Sequence, residues 1–306
     1  MTAADIRRAA ANRGWACGFA SVSRLAALRD ALAALSPGVD PEVAAERLSF
    51  YEFRPPASLP AAASLIVVAV PLPGSRVWLT WKGARMTVMV PPAYLGFDEA
   101  GRHVRALLAD LLSPLGRRVE PVLLPEKLLA ASIGLAVYGR NNLAYVAGMG
   151  SFLRLTTFYT DLELEEDRWQ LPGQLPRCAG CRACSRQCPT GAISADRFLL
   201  RAERCVVFHN ERPSRVPFPD WMPASAHQCL VGCMDCQASC PENSVHGGWV
   251  EEAGELSAEE TTRLLDGLLL EALEPDLKQK LDRLDLTPVY GMLARNLRAI
   301  LAATSG

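Results

Sequence analysis

Ten cysteines stand in a chain of 306 residues, and nine of them fall between Cys178 and Cys240. Four open that stretch as CAGCRACSRQCP, a C-x2-C-x2-C-x3-C-P run. Three thiolates spaced in this way wrap three corners of a cubane iron-sulfur cluster, and the fourth, followed by Pro189, reaches a neighbouring cluster. A second run, CLVGCMDCQASCP, repeats the end of the first with Cys233, Cys236, Cys240 and Pro241. The pattern is that of a carrier of two 4Fe-4S clusters, which pass electrons singly along a path. A tetrahedral zinc cage has no use for the prolines that close both runs.

A pair of cubanes takes eight thiolates, four to each. In the crossed arrangement Cys178, Cys181 and Cys184 share one cluster with Cys240, and Cys188 joins Cys233 and Cys236 on the other. The eighth ligand is Cys205 or Cys229. Spacing by itself favours Cys229, which sits beside Cys233, although its x3 gap departs from the x2 of the first run. Cys17, in a β pattern, reads as a small core residue.

The elements that must position these thiols follow from periodicity. ADIRRAAANRG is helical in composition, ACGFASV reads as a strand and SRLAALRDALAAL has apolar residues at helical spacing, with a loop at PGVDP. SLIVVAVPL is short, β-branched and bounded by prolines, as a buried strand is. Val77 to Val90 reads as a hairpin or edge strand. DEAGRHVRALLADLL gives an amphipathic helix, RRVEPVLL a strand, EKLLAASIGL a helix and SFLRLTTFYTDLEL another strand. Helices and strands taking turns predict an α+β fold, with an N-terminal α/β domain over 1–172. LPGQLP marks a boundary, and a loop-rich, ferredoxin-like two-cluster domain follows over 173–250. The last segment, 251–306, is helical, with Ser257 and Glu260 forming a capping box.

Half the residues are apolar and the formal charge is -1, so the chain can bury a sizeable core without the clusters and has no global attraction to nucleic acid or anionic membrane. Arg7 and Arg8 are followed by no apolar stretch of signal type, and no apolar run is long enough to span a bilayer. Thiols at cluster spacing rather than disulfide spacing suit a reducing cytoplasm.

Taken in order, GLAVYGRNNLAYV, GMGSFLRLTTFYTDLEL, CAGCRACSRQCPTGAI, DRFLLRAERC and GCMDCQASCPEN resemble the epoxyqueuosine reductase family, iron-sulfur corrinoid proteins akin to reductive dehalogenases. The resemblance covers most of the chain and is faint before residue 60. It implies that Cys205, in an E-R-C context, is the eighth ligand. It also implies a corrinoid-binding-like N-terminal domain that holds cobalamin with its lower base detached. The G-R-N loop and G-S-F strand then supply Tyr138, Gly139, Arg140, Asn141, Asn142, Gly150 and Ser151 to the cofactor. Read bottom-up, YGRNN offers amides, carboxamides and a guanidinium to a corrinoid, or it is a helix C-cap built from Gly139 and Asn141. His103, His209, His227 and His246 stand apart, with no ligand spacing.

Counted back from LAASIG, Glu120 falls where the family has its catalytic aspartate, so the resemblance makes Glu120 the candidate proton donor, with Tyr138 and Arg140 second by analogy with the tyrosine and basic residue of dehalogenases. Trp221, Trp249, Phe208 and Phe218 lie among the cluster ligands and read as a shield against water. The segment from Glu251 to Asp285 holds many more acids than its few basic residues, which is unfavourable for gripping a nucleic-acid backbone. These readings lead to a cytoplasmic corrinoid-dependent reductase of a small molecule, fed by a low-potential donor such as a ferredoxin or flavodoxin, with no nucleic-acid partner. The alternatives are an electron-transfer partner or activator of another corrinoid protein, and an epoxyqueuosine reductase acting on tRNA.

Overall fold

A computed structural model describes residues 1–35, 41–92, 94–95, 97–194, 196–246 and 248–304. The loop expected at PGVDP lies outside them, apart from Pro41. Nine strands form among the described residues: β1 (Ala16–Ser21), β2 (Ser64–Pro71), β3 (Gly74–Trp81), β4 (Ala84–Val90), β5 (Val119–Pro121), β6 (Val137–Tyr138), β7 (Ala144–Tyr145), β8 (Leu153–Thr160) and β9 (Val250–Leu256). The chain folds into two compact units. One comprises Met1–Pro71, Phe97–Arg182 and Ala195–Leu200; the other comprises Leu72–Gly96, Ala183–Ser194 and Arg201–Gly306.

The first unit is built on a four-stranded antiparallel sheet in the order β1-β2-β8-β5. SLIVVAVP can sit at its centre because both of its faces are apolar, and seven of its eight positions are buried. Leu65, Val67 and Ala69 pack on one side with Leu25, Leu28, Leu128 and Leu129 from helices Leu25–Ala34 and Glu126–Ser132. Ile66 and Val68, pointing the other way as strand alternation requires, are equally buried. Helix Phe97–Leu112 packs against β8 and β5. Strand β5 is cut to three residues by Pro121, which has no N–H for a ladder. Cys17 is a buried strand residue whose thiol burial pushes up to about 11.

The second unit is organised by the β3–β4 hairpin, and the fold here departs from the sequence reading. Strand β9, an acidic stretch with no clear alternation, pairs in parallel with β3 and carries the hairpin into this unit. Val77, Leu79, Val88 and Val90 form its core with Leu264, Leu277, Leu281, Leu293 and Leu297 of the C-terminal helices. Ser257 and Glu260 form the expected capping box on helix Ala258–Asp266. The fold is mixed α+β, and no helix among the described residues is long and apolar enough to cross a membrane.

Candidate metal centre

In the second unit the end of the first cysteine run is folded onto the second run. The short helices Ala183–Gln187 and Asp235–Ala238, which carry Cys184 and Cys236, pack together. The Cys236 thiol is pushed up by burial, then by the neighbouring thiols of Cys205, Cys184 and Cys188 and the carboxylate of Asp235. Cys205 is raised by burial and by Cys188 and Glu211, while the amides of Val207 and Phe208, at the start of helix Val206–Asn210, donate to its sulfur. Cys233 is raised by burial and by Asp235, with Cys229 and Cys236 adding. Cys188 Sγ lies 3.6 Å from Thr190 Oγ1. Cys240 ends the helical turn after Cys236, its amide bonded to the Gln237 carbonyl at 3.2 Å.

Cys229 is placed differently. It bridges to Met89 of β4, is 6% exposed and is pushed up to about 12 by burial, against the amide of Met234. Cys188, Cys205 and Cys236 therefore share one electrostatic neighbourhood, while Cys229 acts on Cys233 and is itself acted on by Asp235.

Among the described residues no three Cys, His, Asp or Glu side chains converge as ligands of one ion. A cubane makes no such demand, because each thiolate binds a different iron. The donor set therefore fits sulfur-bridged iron, and binding it must displace protons from these raised thiols.

The last helix holds this loop system in place. Arg295, 9% exposed, donates to the carbonyls of Val216 (2.7 Å), His209 (2.9 Å) and Asn210 (3.0 Å). Asn296 donates to the carbonyls of Asn210 and Leu230 at 2.8 and 3.0 Å. Asn210 in turn brackets Gly232, accepting from its amide at 3.1 Å and donating to its carbonyl. Gly232 has φ +73°, and a Cβ there would lie 2.7 Å from Tyr94, so the glycine before Cys233 is required by space as well as by backbone. Sequence reading noticed RNLRAIL and missed this clasp, because the helical pattern of the segment says nothing about which loops its polar residues reach.

In the first unit the YGRNN loop is not a helix cap. Helix Glu126–Ser132 ends beforehand, with Gly134 at φ +74°. Gly139 is needed for close approach, since a Cβ would stand 2.4 Å from both Asn141 Oδ1 and Tyr145. Asn141 donates to the Tyr145 hydroxyl at 2.9 Å. Tyr138 is buried, edge-on to Phe198 at 5.5 Å, and its amide and carbonyl tie the loop to Gly173 and Leu175 just before the first cysteine run. The backbone amide of Arg140 points at Cys178 Sγ, 3.4 Å away, and its guanidinium donates to the Cys178 carbonyl.

Asn142, at φ +62°, has a buried carboxamide nitrogen with no hydrogen-bond partner among the described residues, which leaves a donor suited to the amide groups of a corrinoid. Gly150 closes a turn at φ +59°, its carbonyl accepting from Val146 at 3.0 Å, and Ser151 beside it is buried. Cys181 stands in this unit with Cys178.

Glu120 lies on β5, its side chain 24% exposed and 3.7 Å from Arg105, and Tyr138 belongs to the separate β6–β7 pair. A carboxyl the sequence reading passed over, Glu126, is the strongly perturbed one. Burial pushes it up to about 7, against Arg154, 3.1 Å away, and Thr157. Pro125 before it and the apolar helix after it were the available signals. Of the aromatic residues near the thiols, Trp221 is 45% exposed, with His209 edge-on at 5.3 Å.

Residues 177–243 match the 4Fe-4S double cluster binding domain, which defines the class. The chain is 31% identical to an epoxyqueuosine reductase of Burkholderia pseudomallei over 53% of its length and 44% of that protein's. It is 30% identical to the Escherichia coli epoxyqueuosine reductase over 49% of its length and 41% of that protein's. The matched segments thus span less than half of these curated relatives. In fold, 99% of the chain superposes on 81% of the epoxyqueuosine reductase of Streptococcus thermophilus, with TM-score 0.66 and 18% identity. A further structure, of epoxyqueuosine reductase with an epoxyqueuosine-modified tRNA-Tyr stem loop, is matched over 98% of this chain and 80% of that one, with TM-score 0.63 and 20% identity. The chain is thus similar to epoxyqueuosine reductases over about half of its sequence and shares their fold.

These likenesses overturn two expectations. The small-molecule substrate has no support, because the matched relatives are epoxyqueuosine reductases, and the exclusion of nucleic acid falls with it, because one of them is seen with tRNA. The acidic tail misled because its charge is spent locally. Glu260 pairs with Lys280 at 2.6 Å, Glu274 with Arg263 at 3.2 Å, Glu252 with Arg76 at 2.7 Å and Glu255 with Arg85 at 3.0 Å. A surplus counted along a sequence does not describe the field over any one surface.

Proposed function

We propose that the chain is an oxidoreductase of the epoxyqueuosine reductase kind, reducing the modified nucleoside within a tRNA at the expense of single electrons relayed through two 4Fe-4S clusters. The observation that carries this reading is the gathering of Cys184, Cys188, Cys205 and Cys236 from three separated stretches into one neighbourhood. The eight ligands are those of the crossed pattern with Cys205 in the last place. In this proposal the functional division runs 1–172 for the corrinoid-binding-like part, 173–250 for the clusters and 251–306, which opens on β9, for the mainly helical segment that braces them. The donor is a low-potential protein such as a ferredoxin or flavodoxin, and the setting a reducing cytoplasm.

Bound cobalamin would supply a cobalt centre able to pass an electron pair to the substrate. The chain's own part is to hold that group and to deliver protons. Tyr138, Gly139, Asn141, Asn142, Gly150 and Ser151 are the proposed cradle, in which the unpartnered Asn142 donor is the group left available. Glu120 and Tyr138 are the proposed proton donors. Two electrons and two protons remove an epoxide oxygen as water, so both supplies are needed. The test is the anaerobically reconstituted, cobalamin-supplemented chain with epoxyqueuosine-containing tRNA, digested and weighed nucleoside by nucleoside. Loss of one oxygen is expected; an unchanged nucleoside with clusters and cobalamin both in place would reject the reading.

Arg140 belongs to the same proposed cradle, and a second role is proposed for it because its amide and guanidinium are both turned to Cys178. A fixed positive charge and an N–H···S bond both favour the reduced cluster. Arg140→Met keeps the amide and removes the charge. A redox titration followed by electron paramagnetic resonance should find one cluster harder to reduce by about tenfold, about 59 mV for one electron. Identical potentials at full iron content would remove Arg140 from that role, while Arg140→Lys should recover part of the shift.

A further inference from the structure

Between the β3–β4 turn and the last helix, Tyr290–Thr304, lies a groove of about 360 Å³ lined by Trp81, Lys82, Leu265, Arg298, Leu301 and Ala302. Leu301 is buried, Trp81 and Leu265 are half-buried, and the two cations are exposed. Lys82 Nζ stands 5.8 Å from the Trp81 ring centroid, and Arg298 donates to the Leu265 carbonyl. Four cations of this unit, Arg76, Arg85, Arg263 and Lys280, have a carboxylate partner. Lys82 and Arg298 have none among the described residues. Asp266, the acid closest in sequence to Leu265, faces Arg263 at 3.9 Å.

The backbone supplies a second, independent observation. Lys82 has φ +49° and Gly83 has φ +79°, the two positive values that a two-residue hairpin turn of the primed type requires. Asn, Asp or Gly normally takes the first place, and another residue held there costs on the order of 1–3 kcal/mol. The chain keeps a strained lysine where asparagine would relax the turn, and it keeps that charge without a carboxylate at the mouth of a groove.

We propose that this groove binds a nucleotide of an RNA strand, its phosphate held by Lys82 and Arg298 and its base laid against the Trp81 indole. The inference rests on the RNA reading above and adds a contact surface to it. Phosphate oxygens accept from an ammonium and a guanidinium together, and an indole face stacks on any base. The apolar floor of Leu265 and Leu301 keeps water from competing for the base.

The test uses the cluster-loaded full chain and labelled tRNA, with affinity read by fluorescence anisotropy across a salt series. Lys82→Asn relieves the turn, so its melting temperature should equal or exceed that of the wild type, while the slope of log K against log salt falls by about 1. The double variant with Arg298→Gln should bind tRNA about tenfold more weakly, the size of one charge-assisted hydrogen bond. Wild-type binding of tRNA with the double variant unchanged in affinity and slope overturns the groove and leaves the RNA reading standing. No tRNA binding by the wild type overturns both. Binding of free nucleoside monophosphate through Lys82, without tRNA binding, overturns the assignment to an RNA strand.

Discussion

Cys205→Ala should lower the iron of the anaerobically reconstituted chain from about eight atoms to about four, while Cys229→Ala keeps about eight. Cys205 shares its surroundings with Cys188 and Cys236, and its sulfur receives the amides of Val207 and Phe208, the arrangement that stabilises a sulfur carrying negative charge. Cys229 is set into the edge of β4 beside Met89, where burial, with Asp235 adding, drives its thiol up to about 12. If the proposed tRNA reduction runs through both clusters, it should fall to background in Cys205→Ala, whereas the Cys229 variant should retain most of it. Iron analysis and low-temperature spin signals check the outcome. Equal iron in the two variants would sink the assignment of Cys205.

The second large effect concerns pH. Glu126 and Arg154 have side chains 18% and 23% exposed, and burial raises the carboxyl from 4.5 to about 7 despite the guanidinium. An acid whose folded pKa lies above its unfolded value holds its proton more tightly when folded. Its contribution to stability is therefore full below about pH 4.5 and is lost as pH rises through about 7. At 1.36 kcal/mol per unit the whole span is worth about 3 kcal/mol. Glu126→Gln, which carries no such proton, should flatten that part of the curve, so that wild type and variant diverge in melting temperature between pH 5.5 and pH 8. Parallel curves would show that Glu126 does not titrate in this window. The same variant should leave iron content unchanged, since no proposed ligand depends on Glu126.

Much of the fold was legible because its signals are local. A run of β-branched residues bounded by prolines specified the buried β2, alternation specified β8, Val77 to Val90 read as the hairpin or edge strand that β3 and β4 form, and Ser257 with Glu260 announced a helix start. Glu126 escaped notice because nothing in PEK marks it as buried; that follows from Arg154 and Thr157 arriving on β8. Strand β9 was missed for a related reason, since its pairing energy comes from β3 and its own pattern is weak.

The sequence by itself determined that this chain holds thiols for two cubic clusters, because the reach of a cysteine across two or three intervening residues is set by covalent geometry and needs no fold to define it. Only the tertiary structure decided which thiols share a neighbourhood, that Arg140 is turned to Cys178, and that Arg295 and Asn296 clasp the loops bearing Cys205 and Cys233. Those contacts join residues tens of positions apart. Their energies depend on burial and on distances through space, and neither is written into the spacing of residues along a chain.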